Sequence, residues 1–312
     1  MRRLLSILLV FASLALAEPP KRTSLPRKTS LHVPVWSETA EPLDSKEFRC
    51  LLNGKESPVR KVRGAGDDMV ILLAIDLTED LTHVESARRA VAGAVDSLPR
   101  NVWCAVLKAH DNLEVLVDPT PDRAAAVQAI SGLTTTGRAG MLTTVEIATA
   151  VGDAMIEKSG VRIALLYITD SNAYNYREDF SNPVINSTDY RDLSRRFSEG
   201  LIREKILKVA GGLAARETPL FFVHLNYRSD PVNEAYQAGL MQMAASTGGT
   251  GVFSRSIGEI PEAINKVMGT IVRHSILEVD LPPRGANGWQ IQVENSGRTL
   301  MFRPRFALKG SR

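Results

Sequence analysis

The sequence has few cysteines, few aromatic residues and little net charge. Its 312 residues include two cysteines, Cys50 and Cys104, and only 6% of the residues are aromatic. Two cysteines are too few for a disulfide scaffold or a zinc cluster. The formal net charge is +3, whereas proteins that bind nucleic acid concentrate a much larger basic excess on one face. These shortages exclude a small disulfide-rich fold and argue against nucleic acid as a partner.

The common enzyme motifs are also missing. The sequence contains no G-x-S-x-G, no G-x-x-x-x-G-K-[ST] and no H-E-x-x-H, which mark large classes of hydrolases, nucleotide-binding proteins and metalloproteases. The Gly-rich stretch 247–251 follows a predicted helix and precedes a predicted strand, but a phosphate-binding loop needs the reverse order. We therefore expect a protein that is not an enzyme.

One long apolar run is present, and it lies at the start of the chain. Met1 and two arginines precede an apolar run from Leu4 to Ala17, which ends in Ala-Leu-Ala. This pattern is typical of a secretory signal peptide, and the run is shorter than the roughly 20 residues that span a bilayer. No later stretch is long and apolar enough to cross a membrane. We expect cleavage near Ala17, a mature chain of 312 − 17 = 295 residues, and a secreted or periplasmic bacterial protein without a transmembrane anchor.

The rest of the chain divides into four parts by its pattern. Fully apolar runs such as 69–75 and 161–169 alternate with amphipathic helical stretches, and such runs are typical of strands buried on both faces of a parallel sheet. Short alternating strands lie before and after this region, and the Asn53-Gly54 turn predicts a hairpin whose return strand is 59–62. The predicted parts are a flexible lead 18–30, an N-terminal β unit 31–66, an α/β domain 67–272 and a C-terminal β unit 273–312. Because each β unit is too small to be stable alone, we predict that the two pair with each other.

Polar side chains follow two of the buried strands. Asp76, Thr78 and Asp80 come directly after strand 69–75, and Asp170 ends strand 161–169. The carboxyl ends of parallel strands meet at one edge of a sheet, where ligands bind. Hard oxygen ligands that converge in this way suit Mg²⁺ or another divalent cation. The alternatives are a helix N-cap for Asp80 and turn roles for Asp76 and Thr78.

The D-x-T-x-D pattern after the first buried strand, with the distant Asp170, resembles the metal-ion-dependent adhesion site of von Willebrand factor type A domains. The flanking β segments are similar to those of exported proteins with this domain in acidobacteria. The resemblance implies a Rossmann-like, mostly parallel sheet of six strands with helices on both faces. It also implies a protein-interaction module whose bound cation accepts a carboxylate from a partner protein.

The sequence departs from the family pattern at several positions. Asp80 stands where the family has Ser, Glu79 replaces a small residue, and Ser171 replaces the usual Gly. The threonine of the family's second loop falls on Met141, and a thioether is a poor ligand for a hard cation. A shifted loop leaves other threonines as candidate ligands: Thr136, Thr143 and Thr144. The rival hypotheses are therefore a metal-free scaffold that binds through its loops and a hydrolase that uses the acidic cluster to activate water.

Residues 172–189 form a long segment rich in Tyr, Asn and Asp that follows Asp170. Long loops inside a compact domain are often binding loops, and Tyr suits protein recognition. The alternative is a solvated insertion. The residues that we expect to contact the partner lie in this segment or beside the acidic pattern: Glu79, Ser171, Tyr174 and Tyr176.

The two cysteines and the charges distinguish the flanks from the central domain. Cys50 and Cys104 lie in apolar strands of different units, so either a disulfide or two separate buried thiols is compatible with export.

Residues 18–66 carry 10 basic and 6 acidic residues and residues 273–312 carry 7 and 3, so the two flanks together have a net charge of +8. Residues 67–272 carry 19 basic and 26 acidic residues, or −7. This division favours docking of the basic β units on the acidic domain.

Overall fold

The structure is a computed structural model, and it describes residues 29–38, 48–78, 81–176, 199–282, 288–295 and 298–307. Several sequence predictions lie outside these residues. They are the signal peptide 1–17, residues 18–28 of the lead, Glu79, Asp80 and residues 177–189 of the long loop.

A six-stranded sheet forms the centre of the α/β domain. Its strand order is β10-β9-β8-β5-β6-β7, and neighbouring strands are parallel except for β7, which runs antiparallel to β6. Every residue of β5 and β8 is buried, as expected for strands covered on both faces. The strands are β5 (Met69–Asp76), β6 (Val102–Lys108), β7 (Glu114–Thr120), β8 (Arg162–Thr169), β9 (Leu220–His224) and β10 (Gly251–Phe253).

Helices cover both faces of this sheet. The described helices are α1 (Leu81–Asp96), α2 (Arg123–Gly132), α3 (Met141–Ser159), α4 (Glu199–Leu213), α5 (Pro231–Thr247) and α6 (Ile260–Arg273). Helices α3, α4 and α5 share one apolar core with the sheet, and α1, α2 and α6 share the core on the opposite face. The predicted α/β fold class, with a mostly parallel six-stranded sheet, is confirmed.

The N- and C-terminal segments form two four-stranded antiparallel sheets. Their strands are β1 (Ser30–Trp36), β2 (Arg49–Leu52), β3 (Lys55–Ser57), β4 (Val59–Arg63), β11 (Ser275–Asp280), β12 (Gly288–Glu294), β13 (Met301–Phe302) and β14 (Arg305–Ala307). The orders are β13-β1-β11-β4 and β14-β12-β2-β3, so each sheet contains strands from both ends of the chain. A shared apolar core lies between the two sheets, which makes this part a β-sandwich.

The hairpin at Asn53-Gly54 exists, but its predicted return strand was wrong. Asn53 and Gly54 have positive φ angles of 52° and 75°, as the turn requires, and the strand that returns from them is β3. Residues 59–62 belong to β4, which pairs with β11 in the other sheet. Pro58 separates β3 from β4, and its ring cannot donate a hydrogen bond to a continuing ladder.

Polar contacts join the sandwich to the α/β domain. The side chain of Arg303 is fully buried, and its guanidinium donates hydrogen bonds to the carbonyls of Ala214, Arg216 and Arg305. From β1, the amide of His32 donates to Oε1 of Glu217 at 2.7 Å. Because Ala214, Arg216 and Glu217 belong to the α/β domain, these buried bonds fix the two parts against each other.

The two cysteines are free and buried in different units, so the disulfide alternative is wrong and the two-thiol alternative is confirmed. Burial raises the pKa of Cys50 to about 11 and that of Cys104 to about 12. Both thiols therefore stay protonated and unreactive at neutral pH. None of the helices in the described ranges has the length and hydropathy that a membrane crossing requires.

The buried His274 predicts a loss of stability in acid. Burial, with the charge of Arg162 nearby, lowers the pKa of its imidazole to about 4, whereas an unfolded histidine has a pKa near 6.5. Between pH 4 and pH 6.5 the imidazole is protonated in the unfolded chain but not in the folded one. The contribution of neutral His274 to the free energy of unfolding is therefore complete above pH 6.5 and is lost as the pH falls towards 4. This contribution is roughly 3 kcal/mol.

We expect His274→Asn to lose less stability between pH 7 and pH 4 than the wild type, because its amide can donate to the carbonyl of Ile271, as Nδ1 of His274 does, without titrating. Urea unfolding at both pH values measures the difference. Equal losses for the two proteins would contradict the assignment.

Candidate functional site

Two acidic residues lie side by side at the carboxyl edge of the central sheet. Strands β5 and β8 are parallel neighbours, and Asp76 is aligned with Thr169. The amide of Asp170 donates to the carbonyl of Asp76 at 3.2 Å. Both side chains are buried, with 0% and 1% of their surface exposed. The alignment of the two strands therefore brings Asp76 and Asp170 together, as the sequence predicted.

The carboxylate of Asp76 is bonded to the beginning of α3. Its Oδ1 accepts the amide of Gly140 at 2.8 Å, and its Oδ2 accepts the amide of Met141 at 3.2 Å and the hydroxyl of Thr169 at 3.0 Å. The first amides of a helix lack partners within the helix and favour a negative charge. A Cβ at Gly140 would lie 1.8 Å from the carbonyl oxygen of Ala109. Only glycine therefore allows this close approach.

Burial raises the pKa of Asp76 to about 7, and the negative charge of Asp170 contributes, although the amide of Gly140 and the hydroxyl of Thr169 act in the opposite direction. Two buried carboxylates at one edge repel each other when both are charged. This part of the site therefore favours a compensating positive charge.

Thr78 lies beside Asp170, and its amide donates to Oδ1 of Asp170 at 2.9 Å. The hydroxyl oxygen of Thr78 is buried but has no hydrogen-bond partner among the described residues. A buried hydroxyl without a partner is costly and calls for an explanation. Its oxygen could serve as a metal ligand at the edge of the sheet where the two carboxylates lie.

The three alternative threonines have other positions. Thr143 and Thr144 donate their hydroxyls to the carbonyl of Gly140 at 2.9 and 2.6 Å. Thr144 also bonds the hydroxyl of Tyr167 at 2.8 Å. Thr136 is exposed in the loop before α3. The side chain of Met141 lies in the apolar core, and only its amide faces Asp76.

The predicted partner-contact residues differ in exposure. Ser171 and Tyr176 are buried, at 0% and 5% exposed, whereas 44% of Tyr174 is exposed. The hydroxyl of Tyr174 donates to Oδ1 of Asp230 at 3.2 Å, in front of α5. Of the described candidates, Tyr174 is thus the one whose side chain a partner can reach directly.

A chain of buried hydroxyls joins the site to α5, and sequence reasoning missed it. The hydroxyl of Thr169 lies 2.6 Å from that of Ser171, which in turn lies 2.9 Å from that of Tyr236. The amide of Leu142 donates to the hydroxyl of Tyr176 at 3.3 Å. The polar Thr169 at the end of an apolar strand was a signal for this network. Tyr236, in the middle of a helix, gave none.

His110 is a further buried polar residue at this edge. Its Nε2 accepts the amide of Leu77 at 2.9 Å, and burial lowers its pKa. Within the described part of the chain, no group of three or more His, Cys, Asp or Glu side chains is placed to hold a metal ion. Asp76 and Asp170 supply two carboxylates, and the third predicted carboxylate, Asp80, lies outside the described residues.

The hydrogen bonds of Asp76 predict a structural cost of its removal in the absence of metal. Asp76→Ala leaves two buried amides and the hydroxyl of Thr169 without their acceptor, and we expect a loss of about 2–4 kcal/mol in the free energy of unfolding. Asp76→Asn keeps one acceptor oxygen and should lose less. Urea unfolding in a chelator measures both, and an unchanged stability of Asp76→Ala would contradict this role.

Comparisons with known proteins give only distant structural similarity. No model of a known family matches the sequence, and no curated protein matches it. The structure is similar to a von Willebrand factor type A protein from Catenulispora acidiphila at 10% identity and a TM-score of 0.47, which covers 91% of this chain and 74% of that one. It is also similar to the vWF domain of the pilus tip protein Mfa5 from Porphyromonas gingivalis, at 12% identity and a TM-score of 0.46. This match covers 66% of this chain and 95% of that one. A third similar structure, of an aerotolerance-related membrane protein from Bacteroides fragilis, has 15% identity and a TM-score of 0.38. This match covers 65% of this chain and 98% of that one. The chain thus has structural neighbours among von Willebrand factor type A domains.

Proposed function

We propose that the protein is an exported, non-enzymatic module that binds a partner protein at the carboxyl edge of its central sheet, through a divalent cation. The observation that carries this proposal is the buried hydroxyl of Thr78, which has no hydrogen-bond partner among the described residues. The amide of Thr78 donates to Asp170, and Asp170 lies beside Asp76 in the sheet. The signal-peptide pattern of residues 1–17 supports export to the periplasm or the cell exterior.

The oxygen donors at this edge fit a hard cation such as Mg²⁺. The ligands would be the hydroxyl of Thr78 and the carboxylates of Asp76, Asp80 and Asp170. Asp76 accepts three hydrogen bonds, and a carboxylate has about four acceptor positions, so its capacity is not exhausted. When bound, the cation would supply an open coordination position for a carboxylate of the partner.

A specific observation favours a second candidate, the metal-free scaffold. The helix amides and the hydroxyl of Thr169 already stabilise the charge of Asp76 without a metal, and Met141 stands where the family pattern has Thr. In this alternative, exposed residues of the same edge, such as Tyr174, bind the partner alone.

Thr78→Val separates the two candidates, because it removes the unpartnered hydroxyl at nearly constant volume. In a chelator we expect the variant to be at least as stable as the wild type, since valine removes an unsatisfied buried group. If the cation site exists, Mg²⁺ or Mn²⁺ at 100 times its dissociation constant stabilises the wild type by about 2.7 kcal/mol. Thr78→Val should lose most of this gain, and Thr78→Ser, which keeps the hydroxyl, should retain it.

Calorimetric titration and thermal unfolding with each metal measure these effects. No binding by the wild type, or an equal gain for wild type and Thr78→Val, would refute the cation hypothesis and leave the metal-free scaffold. Metal-dependent hydrolysis of phosphate-ester, ester or peptide substrates that is lost in Thr78→Val would instead indicate an enzyme.

A further inference from the structure

A second group of residues at the carboxyl edge combines arginine with tyrosine. Tyr227 lies three residues after β9, and Arg255 lies two residues after β10. The amide of Tyr227 donates to the carbonyl of Ser254 at 3.1 Å, which holds the two loops together. The guanidinium carbon of Arg255 lies 5.3 Å from the centre of the Tyr227 ring. The ring of Tyr227 also lies against that of Phe253, at 5.8 Å between ring centres.

The guanidinium of Arg255 lies over the ring of Tyr227, while its hydrogen-bond donors are uncommitted among the described residues. The residue is exposed, and among the described residues its side chain has neither a carboxylate within salt-bridge distance nor a hydrogen-bond acceptor. Its backbone amide, by contrast, donates to Oε2 of Glu259 at 2.8 Å. The buried Arg162 and Arg303 differ, since backbone carbonyls accept their hydrogen bonds. The donors of a guanidinium lie in one plane, and this arrangement suits a carboxylate.

Other residues extend this group towards the candidate cation site. The positive charge of Arg228 lies near Tyr174, where it opposes the effects of burial and of Asp230, which raise the pKa of that phenol. Tyr174 is 44% exposed, and Ile257, two residues after Arg255, is 40% exposed. We call Tyr174, Tyr227, Arg228 and Arg255 the Arg/Tyr surface. Arginine and tyrosine are enriched in the energetically important parts of protein interfaces.

We propose that the Arg/Tyr surface binds an acidic, extended segment of a protein partner, with a carboxylate of that segment on Arg255. Charge complementarity selects an acidic segment, and the exposed Tyr174 and Ile257 provide contact area for its neighbouring residues. Binding to Arg255 requires no metal, so this part of the proposal stands apart from the cation hypothesis.

The spacing of the strands also predicts how far apart two carboxylates of the bound segment are. This step rests on the proposed function. Strand β10 lies two positions from β8 in the sheet, and adjacent strands are about 4.8 Å apart. The ends of β8 and β10, which Asp170 and Arg255 follow, are therefore about 10 Å apart. An extended chain rises about 3.3 Å per residue. Carboxylates three residues apart would therefore reach both Arg255 and a cation at Asp170.

A protein segment fits better than a nucleic acid. The central domain carries 19 basic and 26 acidic residues between 67 and 272, and its net charge of −7 repels a dense polyanion. Two arginines match the few carboxylates of a peptide, whereas nucleic acid binding uses many phosphate contacts.

The test uses a fluorescein-labelled peptide of ten residues, with Glu at every third position and Gly between them. Fluorescence anisotropy at low ionic strength in a chelator measures its binding to the full chain. We expect Arg255→Gln and Arg255→Lys to bind about tenfold more weakly, since glutamine lacks the charge and lysine keeps the charge but not the planar guanidinium. The matched control is Arg100→Gln, an exposed arginine before β6 at the opposite edge of the sheet, which should bind as the wild type does.

Unchanged binding by Arg255→Gln, an equal loss in Arg100→Gln, or equal binding of a peptide with Gln in place of Glu would overturn the proposal. Tighter binding of a single-stranded DNA decamer that depends on Arg255 would also overturn it, in favour of phosphate recognition. Because Arg255 is exposed, thermal unfolding should be the same for all these variants, which separates a binding defect from a folding defect.

Repeating the titration with Mg²⁺ distinguishes this proposal from the cation hypothesis. Thr78→Val should remove only the increase in affinity that Mg²⁺ produces. Arg255→Gln should reduce the binding that persists in the chelator. If only Thr78→Val has its expected effect, the Arg/Tyr proposal fails and the cation site stands. If only Arg255→Gln has its expected effect, the cation site fails and the Arg/Tyr proposal stands.

Discussion

The bond between a buried carboxylate and a helix terminus organises the carboxyl edge of the sheet. Asp76 ends the central strand β5, and the amides of Gly140 and Met141 bring the beginning of α3 onto it. This attachment places the side chain of Met141 in the core and requires glycine at position 140. Together with the hydroxyl of Thr169, the two amides occupy three of the roughly four acceptor positions of Asp76. The part of the edge that is left for a ligand therefore lies towards Thr78 and Asp170.

Much of the central domain was predictable because its strands are buried on both faces. The apolar runs that became β5, β8 and β9 contain no alternation, and parallel strands must end at the same edge. These two facts depend only on the order of residues along the chain, and they placed Asp76 and Asp170 at one edge of the sheet. The contact between the two residues also requires β5 and β8 to be neighbours.

The rest depends on contacts between distant residues, which a single sequence does not reveal. Tyr176 reads as an exposed loop tyrosine, yet it is buried because its hydroxyl accepts the amide of Leu142. Residues 59–62 have the right pattern for a hairpin strand, but the chain passes to the other sheet after Pro58. In both cases the local pattern was compatible with two structures, and tertiary packing selected one.

The sandwich has a consequence for the order in which the protein folds. All strands of the central sheet come from residues 69–253, so this domain can form while the chain is still being synthesised. The sandwich cannot, because β1 and β2 must wait for β11 and β12, more than 200 residues later. Topologically, the α/β domain is an insertion within the sandwich. Until β11 and β12 are available, strands β1 and β2 lack these sheet partners, and unpaired edges of this kind favour aggregation.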